Sequence, residues 1–231
     1  MIFGLFIIAI VFAQFAQAQT VDEVIEKNIT AMGGKEKLAT LNSYRMEGSM
    51  SVQGTDVSIT ITKLHAVGSR TDISVMGTEN YQIVTPTKGT VFMPVFGQAS
   101  PQDMPDDQFK AGQNALDLHG TFVNYKDKGM QVELLGKEST DGIECYKLKV
   151  TFKNATVATY FIDTKTDRVY KVTAKAMVNG EATEAATTFS NYKQNADGFW
   201  FAYTNISPRG KTNYEKIVTN VPVDVNIFKV K

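Results

Sequence analysis

Tyr44-Arg45-Met46-Glu47-Gly48-Ser49-Met50-Ser51-Val52 places apolar or small residues at even positions and polar ones between them. Val57, Ile59 and Ile61 continue the rhythm, alternating with Ser58, Thr60 and Thr62. Successive strand side chains point to opposite faces, so both segments read as strands with one buried and one wet face. That one-sided alternation is the habit of antiparallel sheet. Turn signals recur downstream at short intervals, among them Gly77-Thr78, Pro86-Thr87-Lys88-Gly89, Asp141-Gly142, Asn179-Gly180 and Asp197-Gly198. Asn179-Gly180 is the sharpest and predicts a two-residue hairpin turn between long strands near 168–178 and 181–192. About a dozen strands emerge without the long spacing of βαβ units, so the sheet reads as a meander.

Upstream the period is helical. Thr20-Val21-Asp22-Glu23 is a capping box, in which the Thr hydroxyl and Glu carboxylate satisfy free backbone N–H groups. Val21, Val24, Ile25, Ile29 and Met32 form one apolar stripe that must be buried, and Gly33-Gly34 ends the helix. Before it, the apolar run Met1–Phe15 closes in Ala16-Gln17-Ala18, the pattern of a secretory signal cut after Ala18. The competing reading, a retained anchor, requires roughly 20 apolar residues to span a bilayer. Residues 1–18 are therefore assigned to a signal and 19–231 to one domain outside the cytoplasm, which the family resemblance given below narrows to a periplasmic location. Position 19 is Gln, so no lipid-bearing Cys follows the cut, and the single Cys145 excludes an intramolecular disulfide. Cys145 itself reads as a small buried hydrophobe.

Lys+Arg and Asp+Glu both total 24, which leaves no basic field for nucleic acid. Chemistry-bearing motifs are missing as well. His65 and His119, the only histidines, lie far apart on a predicted strand and a predicted helix end, and no metal-ligand spacing or nucleophile motif occurs. Asp103, Asp106 and Asp107 read as a helix N-terminus. The expectation is no enzyme, no metal and no cofactor, with a hydrolase built on scattered carboxylates as the third-ranked class. Residues 97–119 interrupt the strands and read helically, as either a connector closing one end of the sheet or a lid over a cavity.

The chain holds 14 Phe, 9 Tyr and 9 Met, crowded in places such as Val91-Phe92-Met93-Pro94-Val95-Phe96, Tyr160-Phe161-Ile162 and Phe199-Trp200-Phe201-Ala202-Tyr203. A single layer with one wet face has no need of consecutive aromatics. They belong either to an ordinary core or to the wall of an apolar cavity, for which soft Met and flat rings are suited.

Several segments together resemble the LolA/LolB-like outer-membrane lipoprotein-sorting superfamily. They are the capped helix ending in Met32-Gly33-Gly34-Lys35-Glu36-Lys37-Leu38, the strand Tyr44–Gly48 and the block Tyr81–Pro94. Asp141-Gly142-Ile143-Glu144-Cys145-Tyr146-Lys147-Leu148, Tyr160-Phe161-Ile162-Asp163, Phe189–Trp200 and Asn220–Phe228 follow in the same order. The resemblance implies a mainly β (α+β) fold: a strongly curved antiparallel sheet of about 11–12 strands forming an unclosed barrel. An N-terminal helix and a mid-chain helical segment would cover its concave face. It further implies a monomeric carrier or chaperone for acyl chains of lipoproteins or free lipid, exchanging with donor and acceptor proteins of the inner and outer membranes. Met50, Phe92, Phe96, Phe109, Leu116, Phe161, Trp200 and Tyr203 are the proposed cavity residues. The competing class is an interaction or sensor module that binds a partner protein and fills the pocket with its own side chains.

Overall fold

A computed structural model describes residues 19–52, 55–178 and 181–230. The proposed signal and the turns at Gln53-Gly54 and Asn179-Gly180 lie outside them. The architecture is one antiparallel sheet of 13 strands in the order β6-β5-β4-β3-β2-β1-β13-β12-β11-β10-β9-β8-β7. The first arm comprises β1 (Ser43–Val52), β2 (Thr55–Leu64), β3 (Gly68–Val75), β4 (Thr78–Val84), β5 (Gly89–Phe92) and β6 (Gln102–Asp103). The second comprises β7 (Gln131–Thr140), β8 (Ile143–Thr151), β9 (Val157–Asp163), β10 (Val169–Val178), β11 (Glu181–Gln194), β12 (Trp200–Ser207) and β13 (Gly210–Thr219). Each arm is a meander, and they join where β1 pairs with β13, Tyr44 opposite Thr219.

That topology dictates what covers the sheet. β6 and β7 are its two edges and do not pair, so the sheet stays an unclosed half-barrel. The chain must travel from one edge to the other between residues 104 and 130, and it does so across the concave face. Only Asp106–Asn114 (α3) of the expected helical stretch is α-helical, and none of its residues is buried. Residues 121–129 are a run of bends and turns. They bury Phe122, Val123 and Tyr125 because this leg of the crossing lies against the core.

Val21–Ala31 (α1) begins with the expected capping box, Thr20 N–H donating to Glu23 Oε2 at 2.8 Å and Glu23 N–H to Thr20 Oγ1 at 3.3 Å. A short α2 (Lys35–Leu38) follows the glycines. Val24, Ile25 and Ile29 of α1 pack with Tyr146, Leu148 and Val150 of β8 and Ile162 of β9 into a dry core. Cys145 is fully buried on β8, and burial pushes its thiol up to about 11.

At Glu47/Gly48 the β1–β13 register slips by one residue. Gly48 is required there, because a Cβ would overlap the Asn213 carbonyl oxygen. Similar slips occur at Leu134/Gly136 and Val169/Lys171. Each bulge bends its strand and resets which face later residues occupy.

Candidate functional site

Between the sheet and the crossing segment lies a cavity of about 660 Å³. Its floor is the concave face: Tyr44 and Met46 of β1, Ile61 of β2, Tyr160 of β9 and Val172 and Ala174 of β10. Phe189 and Tyr192 of β11 and the run Phe199-Trp200-Phe201-Ala202 extend the wall. Ile29 and Met32 of α1 close one side, and Ala111 of α3 with Ala115, Leu118 and Phe122 forms the roof. A second hollow of about 340 Å³ shares Ile61, Lys63, Ala111 and Ala115 with the first. The sheet therefore carries two adjoining hollows, the second with a mixed lining that includes Ser69, Thr71, Gln82 and Arg209.

The wall is rich in rings held by specific contacts. Tyr44 and Phe201 meet edge to face at 5.7 Å, as do Phe122 and Tyr160 at 5.2 Å. The guanidinium carbon of Arg168 sits 3.9 Å from the Trp200 ring centre, and its NH2 donates to the Ala31 carbonyl at 3.1 Å, capping the end of α1. Phenols in the wall are satisfied: Tyr192 donates to the Val169 carbonyl at 2.7 Å, and the Tyr160 and Thr121 hydroxyls are 3.2 Å apart. Burial raises the pKa of Tyr160, Tyr192 and Tyr214, which keeps these phenols uncharged. Charged groups stand at the rim, where Lys63 donates to the Ala115 carbonyl at 3.0 Å and Asp117 pairs with Lys128. His119, also in the crossing segment, is held below its ordinary pKa, first by burial and then by the adjacent imidazole of His65.

Of the eight residues proposed from sequence, Trp200 is on the cavity wall. Phe161 is buried on the opposite face, with Lys147 and Lys171 ammonium groups 5.6 and 5.7 Å from its ring centre. Strand alternation explains that placement, since its neighbour Tyr160 takes the concave side. Tyr203 lies off the wall with Lys193 over its ring at 5.5 Å. Phe92 packs on Tyr81 at 5.4 Å, at the far end of the first arm. Phe96, in a 3-10 turn (Pro94–Phe96), is 84% exposed. Phe109 packs over Gly89, whose missing side chain admits the ring. Leu116 is buried outside the wall, and Met50 is half-buried beyond the Gly48 bulge. The wall residues overlooked in sequence, Tyr44, Met46, Ile61 and Tyr160 among them, sit at the alternating positions of their strands. Only the pairing of strands reveals which face they share.

No family profile matches the sequence, and no curated protein is significantly similar to it. Its architecture does have solved counterparts. One is a LolA superfamily protein from Nitrosomonas europaea, with TM-score 0.56 and 14% identity over 92% of this chain and 98% of that one. Another, from Vibrio parahaemolyticus, is described as an outer membrane lipoprotein-sorting protein domain, with TM-score 0.52 and 16% identity over 89% and 94% of the two chains. The chain has the fold of LolA superfamily proteins.

Proposed function

We propose that this protein is an exported carrier or chaperone that shelters acyl chains of lipoproteins or lipids in the apolar cavity and moves them towards the outer membrane. The single observation that carries the reading is the cavity of about 660 Å³ with a predominantly aromatic and aliphatic wall and charged groups such as Lys63 and Asp117 at its rim. It falls in the range of about 300–1,000 Å³ typical of small-molecule sites. Each exposed CH₂ costs about 0.8 kcal/mol, so a chain of roughly 16 carbons costs on the order of 12 kcal/mol in water. A preformed hollow removes that cost without chemistry, and release requires only a better-binding membrane or acceptor. The structural likeness to lipoprotein-sorting proteins, including one so described, supports the same reading. Among the described residues no helix is long and apolar enough to cross a membrane.

The test is purification of the chain from its native compartment, followed by mass spectrometry of bound lipid. A stoichiometric acyl ligand is expected, together with a blue shift of Trp200 emission when lipid is added to stripped protein. A lipid-free protein that co-purifies with one partner, and whose emission ignores lipid, would replace the carrier with an interaction module.

A further inference from the structure

The fold brings the chain's only two histidines face to face. His65 follows β2, and His119 lies in the crossing segment beyond α3. Their rings stack with centroids 3.9 Å apart and planes 11° from parallel. Asp117 stands beside both: its Oδ1 accepts the His119 backbone N–H at 3.0 Å and lies 3.7 Å from His65 Nδ1. One potential ligand atom from each of the three residues lies within 4.8 Å of the others.

Two details bear on what the cluster can hold. His65 Nδ1 accepts the Leu118 backbone N–H at 3.1 Å, so this nitrogen is unprotonated, and an ion taken at Nδ1 would displace that hydrogen bond. His119 Nε2 is buried and meets no protein hydrogen-bond partner among the described residues. A buried polar nitrogen left unpaired is costly and uncommon, and in folded proteins such an atom often faces a bound water or ion.

We propose that His65, Asp117 and His119 form a binding site for a divalent transition metal of the zinc class, with a remaining position for water. Two imidazoles and one carboxylate suit zinc, copper(II) or nickel, whereas calcium and magnesium call for an oxygen-rich set. Donors on one zinc each stand about 2.0–2.1 Å from it, so any two are no more than about 4 Å apart. Ligation must therefore contract the cluster and turn the stacked rings until their lone pairs converge. Lys128 pairs with Asp117 Oδ2 and donates to the Gly120 carbonyl at 2.9 Å, which steadies the carboxylate while leaving Oδ1 towards the histidines. An ion here would pin the crossing segment to the first arm at the cavity rim, since Asp117, Leu118 and Gly120 all line that rim. The inference is independent of what occupies the cavity.

The experiment is titration of Zn²⁺ into the tag-free, chelator-treated chain by calorimetry, with Co²⁺ absorption as a second readout of coordination. One saturable site is expected, with zinc raising the melting temperature. His119→Gln removes one ligand. His65→Phe removes another while keeping an aromatic ring for the stack; because it also frees the Leu118 N–H, its melting in chelator should fall slightly below the parent's, and the zinc-induced rise above that baseline is what is compared. Each should weaken binding by about tenfold or more and abolish the tetrahedral Co²⁺ spectrum. Absence of saturable binding at millimolar zinc, or an affinity unchanged in His65→Phe, overturns the proposal.

Discussion

Two helices cover the concave face of this sheet, with opposite results. Under α1 the strands meet large side chains: Val24, Ile25 and Ile29 press onto β8 until Leu148 and Val150 lose all solvent contact. Under α3 they meet almost none. This nine-residue helix has no fully buried residue, directs Ala111 at the hollow and lays Gly112 against Val84, while its Phe109 packs over Gly89 instead. Strand alternation is alike in both regions, so the hollow stays open where α3 turns Ala111, not a large side chain, towards the sheet. A packed interior needs facing side chains that fill the gap between layers, and this face of α3 lacks them.

The largest test of this contrast is Leu148→Ala, which opens a void in the filled end. It should cost about 2–5 kcal/mol of stability, measured by urea unfolding. Next, Ala111→Leu adds volume to the roof of the hollow. It should leave stability unchanged or raised, while weakening capture of a fluorescent fatty acid on the order of tenfold, equivalent to about 1.4 kcal/mol. Equal destabilisation by both substitutions would erase the distinction between the two ends.

A subtler probe is Cys145 in the filled end. Its thiol, pushed up to about 11, should react with a disulfide reagent at pH 8 only after unfolding, because the thiolate is the reactive form. Rapid labelling of the native protein would show that β8 opens readily. Smallest is Asp22→Asn at the start of α1. Asp22 accepts from Lys126 and from the Tyr125 hydroxyl, both at 2.8 Å, and chiefly the Lys126 bond lowers its pKa. A depressed carboxyl contributes stability above its unfolded pKa and loses it as pH falls through the folded one. The variant should therefore melt slightly below the parent at pH 7, with the gap closing in acid and in salt.

Much of the fold was legible because its signals are local. The alternation from Tyr44 to Ile61, the Thr20/Glu23 box and the paired turns require only neighbours in sequence. The cavity wall was not, since facing depends on pairing and on bulges, such as the one in β13 opposite Glu47/Gly48, that reset parity. Hydrophobicity misdirects as well: Phe161 and Tyr203 are aromatic, yet lysines cover them on other surfaces. The stacking of His65 on His119 was beyond reach for the same reason, as it is created by a chain crossing from one sheet edge to the other.

The seam at the centre of the sheet joins the first strand to the last, Tyr44 beside Thr219. Pairing of ends so distant along the chain brings a heavy loop-closure cost and slows folding, typically into the range of milliseconds to seconds. A polypeptide emerging amino terminus first can assemble either meander as it appears, but the two halves acquire a common spine only once residue 219 has emerged. Holding the young chain out of aggregates until that moment is the burden this topology places on the cell.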